Sequence, residues 1–130
     1  INAEDIIKKH LRGEDNMAKF QANINGSFKK VVKIINDSIS KSHITMKLVD
    51  ESCFILNNMS VNIKVYDKYF AKNGNRASLS VTIAALGEDI FISAIGAGGG
   101  SGSFYSLSLG AEEEMVDIVE DTVTRIFRPE

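Results

Sequence analysis

The sequence predicts an α+β domain: an antiparallel sheet of five to six strands with two main helices packed on one face, plus an optional N-terminal helix. Three observations predict it. Apolar residues recur at helical spacing in two segments, Phe28 to Ile39 and Met115 to Ile126. Between these segments the period falls to two over several short stretches. Turn residues separate the stretches, and strands grouped between two helices, each apolar on one side, fit a half-buried antiparallel meander.

The elements follow in order. Ile6, Ile7 and Leu11 make a short apolar stripe on a helix starting near Asn2 or Ala3, which Gly13 would stop. Met17-Ala18-Lys19 reads like a natural start. Residues 1–16 are therefore expected to be an N-terminal extension or helix, and residues 17–130 a single α+β domain. Ala18 to Gly26 alternates loosely, as an edge strand would. Asn25-Gly26-Ser27 is a turn that places Ser27 at a helix N-cap, where its hydroxyl can accept a backbone N–H. Phe28, Val31, Val32, Ile35 and Ile39 then give an amphipathic helix ending near Ser40.

From His43 the pattern alternates, with Ile44, Met46 and Leu48 on one side. Asp50-Glu51-Ser52 reads as a turn and "CFIL" as a short strand. Val61, Ile63 and Val65 alternate with Asn62, Lys64 and Tyr66. Asn73-Gly74 is a hairpin signal, since both residues tolerate positive φ. Leu79, Val81 and Ile83 follow, then a turn at Gly87-Glu88-Asp89, then Ile90, Ile92 and Ala94. Past a glycine-rich stretch, Tyr105, Leu107 and Leu109 alternate again. A last helix starts near Ala111, with Glu112, Glu113 and Glu114 in its first turn, where carboxylates interact favourably with the helix dipole.

Composition narrows the function classes. The chain has 130 residues, 44% hydrophobic and 25% charged, which suits one globular domain with one core and argues against disorder. No apolar run approaches the roughly 20 residues that span a bilayer, so no membrane is expected. The stretch "INAEDIIKKHLRGEDN" does not carry the apolar core of a secretion signal, so a cytoplasmic protein is expected. The single cysteine, Cys53, excludes a disulfide within the chain and a cysteine-based zinc site. The net charge of −2 conceals an asymmetry: residues 1–76 balance at +5 and residues 77–130 at −7. Nucleic-acid binding would call for a clearly basic domain, and it is not expected.

The motif that most invites a function is "SAIGAGGGSGSFYSLSLG", Ser93 to Gly110. A dinucleotide fingerprint needs glycine at the third position of G-x-G-x-x-G and a helix after it; serine stands at 101 and 103 and a strand pattern follows. A phosphate loop needs a Lys-Ser/Thr pair after its last glycine, and none follows. A nest of backbone N–H groups there would bind an anion, and Gly98, Gly99 and Gly100 would form a gate in a ligand-binding protein. A freely moving hairpin connection explains the same glycines.

The second candidate is the sheet face away from the helices. With Val61, Ile63 and Val65 placed toward the helices, the other face carries Lys64, Tyr66, Lys68, Phe91, Ile95 and Phe104 among serines and threonines. A contiguous apolar patch marks an interface or ligand groove, whereas single scattered apolar residues mark nothing. Catalytic constellations are thin. His10 and His43 form no metal-binding pair, Cys53 precedes the apolar "FIL" as a small hydrophobe would, and no nucleophile–base pairing can be named. Neither a catalytic residue, a metal nor a cofactor is expected.

From about Met17 to Phe127 the chain resembles a family of small bacterial proteins of unknown function. The resemblance rests on "FQANINGSFKKVVKIINDSI", "VYDKYFAKNGNRASLSVTI" and "IFISAIGAGGGSGSFYSL". It implies a single domain and transfers no catalytic residue, cofactor or partner. The expected function is a non-catalytic homo-oligomeric or partner-binding module using Tyr66, Phe91, Ile95 and Phe104, with Lys64 and Lys68 beside them. The alternative is a small-ligand binder with a pocket between sheet and helix, gated by Gly98, Gly99 and Gly100. An enzyme would require a deep cleft that joins His43 to an acidic residue.

Overall fold

The computed structural model describes residues 7–11, 17–70, 74–99 and 111–126. In chain order the elements are β1 (Ile7–Leu11), β2 (Met17–Asn25), α1 (Phe28–Ser40), β3 (Lys47–Leu56), β4 (Met59–Phe70), β5 (Asn75–Leu86), β6 (Asp89–Gly99) and α2 (Ala111–Ile126). The six strands form one antiparallel sheet in the order β1-β2-β6-β5-β4-β3. Three successive hairpins build β3 to β6, and β2 closes onto the far side of β6. The turns sit where the chain tolerates left-handed backbone, at Asn57 (φ 54°) and Gly87 (φ 61°). The predicted class holds: α+β, with α2 packed on β2, β6 and β5, and α1 beside α2 and against β5.

The core lies between the helices and one sheet face. Phe20 and Ile24 of β2, Leu79, Val81 and Ile83 of β5, and Ile90 and Ile92 of β6 are buried there. Met115, Val116, Val119 and Val123 of α2 and Val31, Ile35 and Ile39 of α1 cover them. Small residues set the closeness of approach. Ala18, Ala22 and Ala94 are buried beneath the helices. At Gly96 a Cβ would stand 2.5 Å from the backbone oxygen of Glu112 and 3.0 Å from Val116 Cγ2. Helix α2 therefore rests almost directly on the β6 backbone.

Several local expectations change. The optional N-terminal helix is not what forms at Ile7–Leu11, which is strand β1 paired antiparallel with β2. A short apolar stripe cannot sustain an isolated helix, while the open side of β2 offers a ready backbone partner. Ala18 to Gly26 is accordingly an interior strand, not an edge. Asp50-Glu51-Ser52 is not a turn: β3 runs through it, with a register shift between Leu48 and Asp50 that absorbs one residue. Ser27 takes the extended N-cap backbone, and its carbonyl accepts Val31 N–H, but its hydroxyl makes no cap bond. The strand expected around Tyr105 to Leu109 lies outside the described residues.

Candidate interaction surface on the outer sheet face

The parity of β4 decides what the outer face contains. Directly opposed residues of an antiparallel pair point to the same face. Lys64 opposes Val81, Tyr66 opposes Leu79 and Asn62 opposes Ile83. Because Leu79, Val81 and Ile83 face the helices, Asn62, Lys64 and Tyr66 do too. Lys68, opposite the buried Ala77, lies on that side as well. The expectation that Tyr66, Lys64 and Lys68 lie on the outer face is therefore corrected: the pairing register places them inside. Val61, Ile63 and Val65 face outward instead. A shift of one residue in strand register exchanges every side chain between faces.

These inner residues form a polar support at the edge of the core. Tyr66 is 3% exposed, and its hydroxyl donates to Asn36 Oδ1 of α1 at 2.7 Å. Glu51 of β3 accepts hydrogen bonds from Asn62 Nδ2 at 2.8 Å and pairs with Lys64 Nζ at 3.2 Å. The amide bond from Asn62, followed by that from Lys64, holds the Glu51 carboxyl below its usual range. The partnership makes a nearly buried lysine tolerable. Burial, with the Glu51 charge second, pushes the Tyr66 hydroxyl up to about 12. The unfolded chain, with an ordinary tyrosine, loses its proton first as pH rises. The Tyr66 contribution to stability is therefore fully present below about pH 10 and is lost as pH climbs through about 12. Urea midpoints measured at about pH 9 and about pH 11 should fall less for Tyr66→Phe than for the natural chain. An equal fall in both would contradict this assignment.

The outer face can be read row by row across the strands. Leu56, Met59 and Leu86 form one row, closed by Asp89 and Asn25. The next contains Phe54, Val61, Ala84, Phe91 and Asn23. Beyond it, Ser52, Ile63, Thr82, Ser93 and Gln21 are mostly polar. Ile95 follows in the row of Asp50, Val65, Ser80 and Lys19. Two adjoining rows thus make an apolar band at the end of the sheet that carries the β3–β4 and β5–β6 turns. Most of its large members are open to solvent: Phe54 is 46% exposed, Leu56 64%, Leu86 55% and Phe91 36%, while Val61 is buried among them. A groove of about 480 Å³ opens at this end of the sheet, lined by Met59, Leu86 and Phe91 of the band and by Ile24, Ala85 and Ile90 of the core side.

Of the residues singled out from sequence, Phe91 lies within this band and Ile95 two rows away on the same face. Gly98 and Gly99 end β6, paired with Ala77 and Arg76. Gly100 and Phe104 lie outside the described residues. The band also includes Phe54, Leu56, Met59, Val61 and Leu86, which sequence reasoning missed as a group.

A smaller pocket of about 240 Å³ opens between β4 and the start of α2, lined by His43, Ile44, Lys68, Ala111, Glu114 and Met115. Here His43 does meet a carboxylate, with Nε2 4.0 Å from Glu114 Oε2. Both side chains are mostly in solvent, at 76% and 62% exposure, so the pair forms an open rim and no deep cleft. Among the described residues no cluster of His, Cys, Asp and Glu could hold a metal ion. Among them, too, no helix is long and apolar enough to cross a membrane.

A fold of this kind defines a small α+β domain of the helix-on-sheet class. The chain belongs to a family of unknown function, DUF6054, whose model matches residues 17–127. No curated protein matches the chain. Among solved structures it is similar to PA94, a protein of unknown function from Pseudomonas aeruginosa, at 11% identity and a TM-score of 0.50, covering 97% of this chain and 82% of that one. It also matches TTHA0849 from Thermus thermophilus at 10% identity and a TM-score of 0.36, covering 83% of this chain and 92% of that one. A third match is the Zhui aromatase/cyclase from a Streptomyces species, at 10% identity and a TM-score of 0.26, with 84% of each chain covered. At these identities the first likeness speaks for the fold alone, and the other two carry no argument.

Proposed function

We propose that this chain is a non-catalytic self-association module whose outer sheet face is the contact surface. The observation that supports this reading most is the apolar band of Phe54, Leu56, Met59, Leu86 and Phe91, solvent-open around the buried Val61 and contiguous across four strands. Contiguous exposed apolar surface on a water-facing domain marks an interaction site. The residues around it suit an interface: an apolar centre with Asn23, Asn25 and Asp89 at its margin. The exposed free thiol of Cys53 fits a reducing compartment, which in this reading is the cytoplasm. Phe91→Ser removes the central aromatic without touching the core. It is expected to weaken association at least about thirtyfold, the effect of losing an interface anchor worth about 2 kcal/mol. Sedimentation equilibrium measures this, and an unchanged association constant would sink the reading.

The second reading is a small-ligand binder. It draws on the pocket between β4 and α2, whose lining residue Ala111 directly follows the glycine-rich stretch. In that reading Gly98, Gly99 and Gly100 act as the gate, and Gly99→Pro changes ligand exchange.

A further inference from the structure

Strand β3 ends the sheet, and among the described residues no strand pairs with its outer side. All of β3 is exposed. It carries large apolar side chains on both faces at the open edge: Phe54 and Leu56 outward, and Ile55, 73% exposed, on the inner side. An edge of this kind presents a row of N–H and C=O groups and templates another strand. Charge or a bulge ordinarily blunts such an edge, and here both devices stop short. The register shift lies upstream, between Leu48 and Asp50. Glu51 N–H is already bonded to Asp50 Oδ1 at 2.8 Å, and the Glu51 charge is matched by Lys64. Downstream, Ser52-Cys53-Phe54-Ile55-Leu56 has neither a charge nor a proline.

We propose that the free edge of β3 over Ser52 to Leu56 pairs antiparallel with the same segment of a second copy, about a two-fold axis through Phe54. Symmetry restricts the choice. A two-fold axis relating antiparallel strands stands perpendicular to the sheet, so one residue must face itself. Centred on Glu51, the register sets like charges opposite each other, which is destabilising. Centred on Phe54, it sets Ser52 against Leu56, Cys53 against Ile55 and Phe54 against Phe54, all neutral and with two apolar contacts. This register keeps both inner faces on one side. The outer apolar band then continues across the axis from each Phe54 to its copy. That continuity, together with the neutral segment, favours a second copy over an unrelated strand.

The proposal rests on the self-association reading and adds a second, independent interface to it. Edge pairing has a two-fold axis perpendicular to the sheet and face packing has one parallel to it; with the two axes intersecting, the interfaces close into a tetramer. The experiment uses the full chain and two substitutions, Ile55→Lys and Phe91→Ser. Ile55 is well exposed and lies on the inner side of the edge, so lysine there disturbs the edge and leaves the outer face intact. Mass in solution is measured, and a short bismaleimide is applied to the native thiol. In the Phe54-centred register the two Cys53 residues are diagonal neighbours, about 7–8 Å apart.

The natural chain is expected as a tetramer that crosslinks through Cys53. Phe91→Ser should leave a dimer that still crosslinks. Ile55→Lys should leave a dimer whose crosslink is lost, with an unchanged circular-dichroism spectrum. An Ile55→Lys chain of natural mass, with no crosslink in either chain, overturns the edge pairing and leaves the face reading standing. A Phe91→Ser chain of natural mass overturns the face reading alone. A monomeric natural chain overturns both.

Discussion

Gly96→Ala should destabilise the domain by about 3 kcal/mol, the upper part of the range for overpacking a filled core. The cause is space and not backbone conformation. The added methyl would sit 2.5 Å from the Glu112 backbone oxygen, and backbone in the first turn of α2 cannot swing aside as a side chain would. Either α2 lifts from β6 or the strand bends away. Both disturb the buried contacts of Met115, Val116 and Val119. Urea denaturation of the natural and variant chains measures the difference. A loss below about 1 kcal/mol would show that α2 does not rest on β6 as described.

Phe20→Ala should cost more, about 3–5 kcal/mol. Phe20 is fully buried on β2, flanked by the small residues Ala18 and Ala22 on the same face. Small neighbours cannot move in to fill the space it leaves, so the cavity term adds to the lost transfer term. A domain with typical stability of about 5–15 kcal/mol would be left near the limit of folding. Phe20→Leu, which keeps most of the volume, should cost about 1 kcal/mol. If the alanine variant lost no more than the leucine variant, the core under α2 would have to be looser than Phe20 indicates.

Both helices were legible in the sequence because an apolar stripe at helical spacing has one natural reading. Val31, Ile35 and Ile39 are buried on α1, and Met115, Val119 and Val123 on α2. Strand β5 was legible for a related reason: Leu79, Val81 and Ile83 alternate with serine and threonine, so only one face can be buried; in β6 Ile90, Ile92 and Ala94 keep the same period against Phe91, Ser93 and Ile95. Strand β4 was ambiguous. Valine and isoleucine occupy one side, but tyrosine and the lysine stem also pack well, and hydrophobicity alone favours the wrong side. What fixes the parity is pairing with β5 across the hairpin, a tertiary fact. Tyr66 then finds Asn36 and Lys64 finds Glu51, partners 30 and 13 positions away in the chain.

Strand β3 shows a different limit. Its acidic stretch Asp50-Glu51-Ser52 has the composition of a turn, yet both faces of an edge strand accept polar residues, and a register shift takes up the extra residue. The consecutive apolar run "CFIL" was the available clue, because an apolar residue at every position cannot all point into one core. It marks a strand with apolar residues on both faces. The outer apolar band stayed hidden for the same two reasons, since Val61 and Phe54 enter it only once the parity of β4 and the extent of β3 are known. Phe91 could be picked out alone because its own strand alternates cleanly.

The most direct test of the central claim is native mass spectrometry of the full chain taken from its source cells, at low and then raised collision energy. Self-association through the outer face predicts an even-numbered assembly of this chain with no additional mass, separating into chains on activation. A bare monomer at low collision energy would contradict it.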